Sequence, residues 1–438
     1  MATIRTKTTA ALAVLAAAVA LAACGGGGST TASSEEGFSA DPEAKIEGQK
    51  IKVLMPYKVP AALLEEFTAE TGVEVEYQTA GWDSLASKLA VANQAATYIA
   101  DVTEFDWSWT GQAGGNGWYE PLEEALAPSV ISDLGPTNGS FVYNGQQYAA
   151  CYSNDFRIAN YNKAMLKQAG VEFPATFSEL ETALETLAAK GVADVPMTLP
   201  MAATEGSVTP WYLLTLAMGG ELFNDKNEPV FNEPDSGGIK ALEFEIKALH
   251  EGWVSPGSVS QDDGPAFERL TGGAAAIFLP SSPGNLISAN NPEESAVAGD
   301  IEAGLMPGES GPGASFGLPE GLAIPVTAEH KDAAVAFIDW WQQPQVQVAM
   351  YREAGFLPCG KAALDELTEA GELEGGKVVS EQFDLVKPLF PEGAPVWYSQ
   401  FTSEAQGLLN AAFTGNLEPQ EALDKLAAKA EELQQESE

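Results

Sequence analysis

Hydrophobic and polar positions along residues 50–105 alternate between the period of a strand and that of a helix. Val73, Val75 and Tyr77 alternate with glutamates, which is typical of a half-buried strand. The elements predicted here are a strand over Lys50–Met55, a helix over 61–70 that stops at Gly72, a strand over 73–77, a helix capped by Asp83, and a strand over 99–105. Together they form a β-α-β-α-β unit.

Such alternation predicts an α/β fold, in which a mainly parallel sheet is covered by helices and ligands bind beyond the carboxyl ends of its strands. Asp106 falls at one of these ends. A second series begins with the capping box of Thr176 and Glu179, followed by an apolar helical stripe. Further helices are predicted around Leu242, Ile338 and Leu426, and there is no internal repeat.

The amino-terminal segment has the pattern of an export signal. Arg5 and Lys7 precede an apolar run over 10–23 that is too short to span a bilayer comfortably. The run ends at Cys24 in a sequence that resembles the bacterial lipobox, which predicts a lipidated cysteine. The alternative is an ordinary secretory signal that leaves Cys24 free. The glycines and hydroxyl residues that follow predict a flexible tether.

About 390 residues follow this tether, which is right for two lobes of ordinary domain size, and no later stretch is apolar enough for a transmembrane helix. The formal net charge is −40, from 62 acidic and 22 basic side chains. Such a surface repels phosphates, so nucleic-acid binding is not expected. The charge is typical of a solvated extracytoplasmic surface, with salt adaptation as the alternative.

The chain has three cysteines, and if Cys24 is lipidated, Cys151 and Cys359 are the two that remain in the folded body. Two cysteines outside the cytoplasm can pair, because that compartment is oxidising. One sequence does not give their distance in space. A disulfide and two free thiols both stay open.

The order of segments resembles the carbohydrate-binding, maltose-binding-type family of extracellular solute-binding proteins. The resemblance runs through nearly the whole mature chain, although each motif is loose by itself. The segments that carry it are 67–77 followed by Gly81-Trp82-Asp83, 101–106 with 118–122, 144–148 through Tyr152 to Arg157 and Lys163, 267–278 with the loop 279–285, 317–325 and 355–358. The two cysteines and the loose glycine-rich stretch 111–117 depart from the family pattern.

This resemblance implies a periplasmic-binding-protein-like architecture, with two α/β lobes joined by hinge strands and a ligand cleft between them. It also implies a substrate-binding component of an ABC importer on the extracytoplasmic face of the membrane, a monomer whose partners are permease subunits. The expected divisions are a signal peptide at 1–23, the lipidated cysteine and tether at 24–47, the first lobe at 48–152 and 318–368, and the second lobe at 153–317 and 369–438.

A sugar requires aromatic surfaces for its C–H faces and polar groups for its hydroxyls. The resemblance places both kinds of group at strand ends, crossings and loops. The candidate ligand-binding residues are Asp106, Trp107, Trp109, Asp155, Arg157, Trp211, Ser281, Glu320, Trp397 and Tyr398. Asp155 and Arg157 could instead form an interlobe ion pair. Trp340 and Trp341 lie on an amphipathic helix and are expected in the core.

Other classes of function are less well supported by the residues. His250 and His330 have no metal-ligand spacing, and we find no nucleophile elbow, phosphate loop or Cys-His pairing, so neither a metal nor a cofactor is expected. A secreted glycosidase needs only two suitably spaced carboxylates and stays an alternative. The other alternative is the same fold binding a non-sugar solute, such as a polyol, glycerol phosphate or a peptide.

Overall fold

The computed structural model describes residues 38–41, 43–133, 135–390 and 392–437. The predicted leader and Cys24 lie outside these residues. The strands, in chain order, are β1 Lys50–Met55, β2 Glu74–Thr79, β3 Val102–Asp106, β4 Val142–Tyr143, β5 Gln146–Gln147, β6 Ala150–Ser153, β7 Ile158–Asn162, β8 Val195–Thr198, β9 Ala275–Ser281, β10 Ile301–Gly304, β11 Ser315–Phe316, β12 Glu320–Ala323 and β13 Val386–Lys387.

The helices, in chain order, are α1 Ala61–Thr71, α2 Trp82–Gln94, α3 Thr110–Gly115, α4 Pro128–Asp133, α5 Lys163–Ala169, α6 Phe177–Lys190, α7 Glu205–Ala217, α8 Gly237–His250, α9 Asp263–Thr271, α10 Pro283–Ala289, α11 Lys331–Trp341, α12 Pro344–Ala354, α13 Lys361–Ala370, α14 Gly376–Phe383, α15 Tyr398–Phe413 and α16 Pro419–Ser437. None of the helices in the described ranges is long and apolar enough to cross a membrane.

Two sheets organise the chain into two lobes. The first has the strand order β2-β1-β3-β12-β6, with β1 parallel to both β2 and β3, and with β12 antiparallel to β3 and β6. The second has the order β10-β7-β9-β8, and only its β8–β9 pair is parallel. The predicted α/β, periplasmic-binding-protein-like fold is confirmed. The expectation of a mainly parallel sheet holds for β1, β2 and β3, whereas the sheets as a whole are mixed.

Local sequence signals account for several elements of both lobes. The capping box predicted for Thr176 and Glu179 is formed at the start of α6. In the first lobe, Phe67 of α1 packs edge-on against Phe337 of α11 at 5.2 Å, and Trp340 and Trp341 are buried as predicted. The helix predicted to be capped by Asp83 instead has Gly81 as its N-cap and begins at Trp82, two residues earlier than predicted.

The chain passes between the lobes three times. The first crossing follows β6 and the second precedes β12, and these two run side by side: Phe156 bridges Gly317, and the Arg157 amide donates to the Phe316 carbonyl over 3.3 Å. The third follows α12, because α12 packs with the first sheet whereas α13 packs with strands of the second. Paired crossing strands of this kind provide a hinge at the floor of the space between the lobes.

A disulfide joins two of these crossings. Cys151, in β6 just before the first crossing, is bonded to Cys359 in the third, with the two Cα atoms 5.9 Å apart. Both cysteines are buried. The pairing that the sequence left open is therefore present.

Candidate ligand-binding cleft

The first lobe presents its aromatic residues where β3 ends. The Asp106 carboxylate accepts hydrogen bonds from the Ser108 amide at 2.8 Å and from the Ser108 hydroxyl. These bonds cap the 3-10 turn Trp107–Trp109, which carries both indoles away from the strand. Burial raises the pKa of Asp106 to about 6, although the hydrogen bonds from Ser108 oppose this rise.

A cavity of about 550 Å³ lies between this turn and the second lobe, and we call it the aromatic chamber. Four aromatic side chains contribute to its wall, namely Trp107, Trp109, Tyr212 and Tyr398. Polar groups from both lobes complete it, among them Gln112, Arg157, Glu205, Thr209 and Asp263. The combination of flat apolar surfaces and a few convergent polar groups is typical of small-molecule sites.

Aromatic contacts position two of the tryptophans of the chamber. Trp107 contacts Tyr398 edge-on at 4.9 Å, which joins the first lobe to the start of α15. Trp109 is half-buried, and Trp82 at the start of α2 lies 5.7 Å from it with an interplanar angle of 31°. These contacts fix the orientation of the rings before a ligand arrives, which lowers the entropy cost of binding.

Glu205, at the first position of α7, anchors the α15 side of the chamber. Its carboxylate accepts hydrogen bonds from the Tyr398 hydroxyl at 2.7 Å, from the Gln406 side chain at 3.2 Å, and from the Thr402 hydroxyl. Burial, with the neighbouring Tyr212 and Glu205 as further causes, raises the pKa of Tyr398 well above its ordinary value. Tyr398 therefore remains a neutral hydroxyl at every physiological pH.

Asp155 and Arg157 flank Phe156 in the first crossing. A guanidinium nitrogen of Arg157 lies 3.5 Å from the Asp155 carboxylate, and these side chains are 17% and 37% exposed, respectively. The Nε of Arg157 and one carboxylate oxygen of Asp155 are buried and have no hydrogen-bond partner among the described residues. Burial raises the pKa of Asp155, and Arg157 opposes this. The pair thus retains hydrogen-bonding capacity that the surrounding protein does not satisfy.

A second cavity of about 360 Å³ continues from the first toward the end of β9, and we call it the polar chamber. The two chambers share Arg157, Gly206, Thr209 and Asp263 in their walls. The polar chamber adds side chains of its own, including Asp155, Phe267, Ser282 and Asn285. The two chambers therefore adjoin each other in one cleft.

A cluster of acids and tyrosines lies in the first sheet beside the cleft. The Tyr152 hydroxyl is 2.7 Å from a carboxylate oxygen of both Glu104 and Glu320, and the Tyr57 hydroxyl donates to Glu320 at 3.1 Å. Burial and the charge of Glu320 raise the pKa of Glu104 well above its ordinary value. Burial likewise raises the pKa of Glu320, to about 7. Both carboxyl groups therefore bind a proton more readily than an ordinary glutamate does.

The structure brings six of the ten predicted ligand residues to the cleft. Asp106, Trp107, Trp109, Arg157 and Tyr398 line the aromatic chamber, and Asp155 lines the polar chamber. Glu320 belongs to the neighbouring acid and tyrosine cluster and lines neither chamber. Their roles in ligand binding stay predictions.

The other three predicted residues are buried away from the cavity. Trp211 is 0% exposed and donates its indole N–H to the Gly238 carbonyl at 3.0 Å, because α7 is buried on nearly all sides. Trp397 is 6% exposed and packs among phenylalanines. Ser281 is 0% exposed, and its hydroxyl accepts a hydrogen bond from Asn160 at 2.7 Å. The structure therefore places Trp211, Trp397 and Ser281 on the wall of neither chamber, and their contact with a ligand stays a prediction.

Several lining residues were missed by the sequence analysis, namely Gln112, Glu205, Thr209, Tyr212, Asp263, Ser282 and Asn285. Ser282 and Asn285 fall in the loop 279–285 that the family resemblance marked, and Tyr212 directly follows Trp211. Glu205 and Asp263 each lie in the first turn of a helix. Acidic residues are common at that position because they interact favourably with the helix dipole, so the sequence alone did not mark them as cleft residues. The described residues contain no cluster of metal-ligating side chains.

Comparisons with known proteins identify relatives of this chain. Mannitol-binding protein of Pseudomonas aeruginosa is 26% identical over 332 residues, which cover 71% of this chain and 74% of that protein. The protein y4oP of Sinorhizobium fredii, named as a probable amino-acid ABC transporter periplasmic-binding protein, is 26% identical over 315 residues, 68% of this chain and 70% of y4oP.

Among solved structures, the sugar-binding protein MalE from Xanthomonas citri superposes with a TM-score of 0.75 at 21% identity, covering 88% of this chain and 97% of MalE. At that identity the likeness concerns the fold. The family model for bacterial extracellular solute-binding proteins matches residues 54–348, which is more than half of the chain. The chain therefore belongs to the family of bacterial extracellular solute-binding proteins.

Proposed function

We propose that this protein is the substrate-binding component of an ABC importer and captures a sugar or sugar alcohol between its lobes by hinge closure. The observation that carries this proposal is the aromatic chamber, whose wall includes Trp107 and Trp109 of the first lobe and Tyr212 and Tyr398 of the second. Aromatic faces suit the C–H surfaces of a sugar ring, and Arg157 with nearby carboxylates and amides suits its hydroxyls. A ligand held from both sides stabilises the closed arrangement.

The relatives support a small hydroxylated solute and also supply the alternative. MalE is named as a sugar-binding protein and the Pseudomonas relative as a mannitol-binding protein, whereas y4oP is named for amino acids. An amino acid would require one anion site and one cation site close together. Arg157 and Asp155 provide such a pair, so amino acids form the second candidate class.

Closure of the two lobes moves them as separate bodies, so each segment of the chain must be assigned to one of them. We keep the predicted first-lobe segments, with one change suggested by packing. The apolar residues of α13 belong to the same core cluster as strand residues of the second sheet, so the return segment ends near residue 360 instead of 368. The monomeric state and the permease subunits as partners belong to the same proposal.

A panel of ligands tests the proposed function. We expect mono- and oligosaccharides or alditols to raise the melting temperature, since a ligand that binds only the native state must stabilise it. The Trp109→Ala variant should weaken binding of the active ligand by tenfold or more, because it removes an aromatic face of the chamber. The Trp109→Phe variant, which retains a flat ring, should recover most of this loss.

Unliganded melting temperatures are the control for both variants, and they should stay close to that of the wild type. If amino acids raise the melting temperature and no sugar or alditol does, the ligand belongs to the second candidate class. Recovery of the bound sugar unchanged after long incubation is also expected. Cleavage of an oligosaccharide would instead point to a glycosidase.

The lipid anchor at Cys24 is a proposal of its own, supported by the leader and the lipobox-like sequence. We expect the mature protein to begin at Cys24 with the added mass of the acyl groups, and to partition with membranes. Intact-mass spectrometry of the protein extracted from its host measures this directly. A mature terminus at another residue with an unmodified Cys24 would show an ordinary secretory signal, and the Cys24→Ala variant should be released from membranes.

A further inference from the structure

We propose that Gly111 of the first lobe and Gly393 of the second hold the two walls of the aromatic chamber together, and that Gly111 is a positioning residue for ligand binding although it lines neither chamber. We call this contact, formed by Gly111 and residues 393–396, the glycine clasp. The inference rests on the proposed function, because it concerns how the lobes are held for the ligand. The contact itself can be measured without a ligand.

The first-lobe half of the clasp is the start of α3. The Thr110 hydroxyl lies 2.9 Å from the Trp107 carbonyl oxygen and 2.8 Å from the Ser140 carbonyl oxygen, just before β4. One turn later, a Cβ atom on Gly114 would come within 2.8 Å of the Tyr148 ring, so the helix lies directly on this part of the first lobe. The start of α3 therefore has a fixed position in the first lobe.

The second-lobe half of the clasp is anchored on both sides. Phe390 stacks on Phe223, with ring centroids 5.2 Å apart and an interplanar angle of 25°. Trp397 packs edge-on against the same ring at 5.6 Å. Tyr398 then begins α15, which packs on α7. The residues between these anchors therefore move with the second lobe.

Gly111 brings the backbones of the two lobes into contact. Its amide donates a hydrogen bond to the Ala394 carbonyl at 2.7 Å. A Cβ atom at position 111 would lie 2.5 Å from that carbonyl oxygen, 2.5 Å from the Val396 nitrogen and 2.6 Å from the Pro395 carbonyl carbon. All three are backbone atoms, which cannot turn away as the end of a side chain can. Any other residue at this position would require the second-lobe backbone to move away.

Gly393 makes the reciprocal contact from the second lobe. Its φ of +70° lies in the left-handed region that glycine adopts readily. A Cβ atom there would lie 2.5 Å from the Val142 carbonyl oxygen and 3.0 Å from the Ser140 carbonyl oxygen, both in the first lobe. Glycine is thus required on each side of the same contact. The glycine-rich stretch 111–117, which departs from the family pattern, supplies the first-lobe member.

The clasp lies beside the aromatic chamber. Trp109 and Gln112, on either side of the start of α3, line the chamber from the first lobe, and Pro395 and Val396 line it from the second. A side chain added at Gly111 would separate these two walls without entering the cavity. A ligand that contacts both lobes stabilises their close arrangement, so its apparent affinity falls when that arrangement is less populated.

Hydrogen–deuterium exchange and small-angle X-ray scattering of the unliganded full chain test the clasp. Gly111→Ala and Gly111→Val should exchange faster than the wild type in the peptides that cover 107–116 and 392–400, because the bond between the lobes is lost. The radius of gyration should rise, more for valine than for alanine. Gly139→Ala is the matched control, since a Cβ atom at this nearby position meets nothing within 4 Å, and it should behave as the wild type.

Calorimetric titration and stopped-flow dissociation with maltose and mannitol as probes test the consequence for binding. The probe that binds the wild type should bind Gly111→Ala about tenfold more weakly, through faster dissociation, and Gly139→Ala with unchanged affinity. A purely structural role for Gly111 would instead lower the free energy of unfolding in urea and leave exchange in 392–400 and the affinity unchanged.

The clasp and the proposed function can fail separately. Wild-type exchange, radius of gyration and affinity in Gly111→Val would overturn the clasp while the proposed function stands, and Gly111→Ala decides the question if the valine variant does not fold. Absence of binding by every sugar and alditol would overturn the proposed function, and exchange and scattering would still decide the clasp.

Discussion

Replacement of both Cys151 and Cys359 by alanine is expected to lower the free energy of unfolding by about 2–5 kcal/mol. The two cysteines are 208 residues apart in the sequence, so their bond closes a very long loop and restricts the unfolded chain strongly. In the folded protein the bond fastens the third crossing to β6. Alanine is the suitable replacement because both side chains are buried, where a serine hydroxyl would lack a partner.

Equilibrium urea unfolding measures this loss, with and without a reducing agent. The reduced wild type should unfold near the midpoint of the double variant, and the double variant should not respond to the reductant. The fold itself should survive, since Gln347 accepts hydrogen bonds from the Cys359 and Gly360 amides at 2.9 Å and holds the crossing independently. Coincident curves for the oxidised wild type and the double variant would show that the bond does not contribute.

Local sequence signals predicted much of the fold. The bounds of β1 were predicted as Lys50–Met55 and are observed there, and the capping box at Thr176 forms. These features depend on neighbours within a few residues, where propensity and periodicity act. The burial of Trp340 and Trp341 was predictable for the same reason, since an amphipathic helix has one apolar face.

The composition of the cleft depends on contacts that the sequence does not show. Its walls combine the end of β3, the first crossing, and the first turns of α7, α9 and α15, which are distant in the chain. Trp211 and Tyr212 are adjacent on α7 and both are buried, yet only Tyr212 contributes to the cavity wall. Which face of an all-apolar helix meets a cavity is decided by packing against other elements. The sequence pattern therefore pointed to Trp211, whereas its neighbour Tyr212 lines the cavity.

Raising the pH from 5 to 8 is expected to destabilise the wild type through the Glu104 and Glu320 pair, and Glu104→Gln should remove most of this dependence. Tyr152 has one hydroxyl hydrogen but lies 2.7 Å from both carboxyl groups. With both acids ionised, one of these short contacts lacks a hydrogen. A proton on either carboxyl group supplies it, and a glutamine amide at position 104 supplies one permanently.

The groups around the pair do not offset its charge. Tyr57 donates to Glu320, Tyr77 donates to the Tyr57 carbonyl, and Asp106 and Asp155 add negative charge that raises the pKa of Glu320 further. Arg157, the cation in the first crossing, is paired with Asp155. Because both folded-state pKa values lie above the ordinary value for glutamate, this contribution to stability is present below about pH 4.5. It is lost as the pH rises toward 7, where the unfolded chain alone has released its protons.

The free energy of unfolding, measured by urea titration at pH 5 and pH 8, tests this relation. Glu104→Gln should match the wild type at pH 5 and exceed it by about 2 kcal/mol at pH 8, a figure reduced from the full pKa shift because solvent partly screens Glu320. Glu70→Gln removes the same charge from an exposed position of α1 and corrects for the general repulsion of a chain of net charge −40. If the two glutamine variants have the same pH profile, the pair does not hold the shared proton, and the pH dependence belongs to the whole acidic surface.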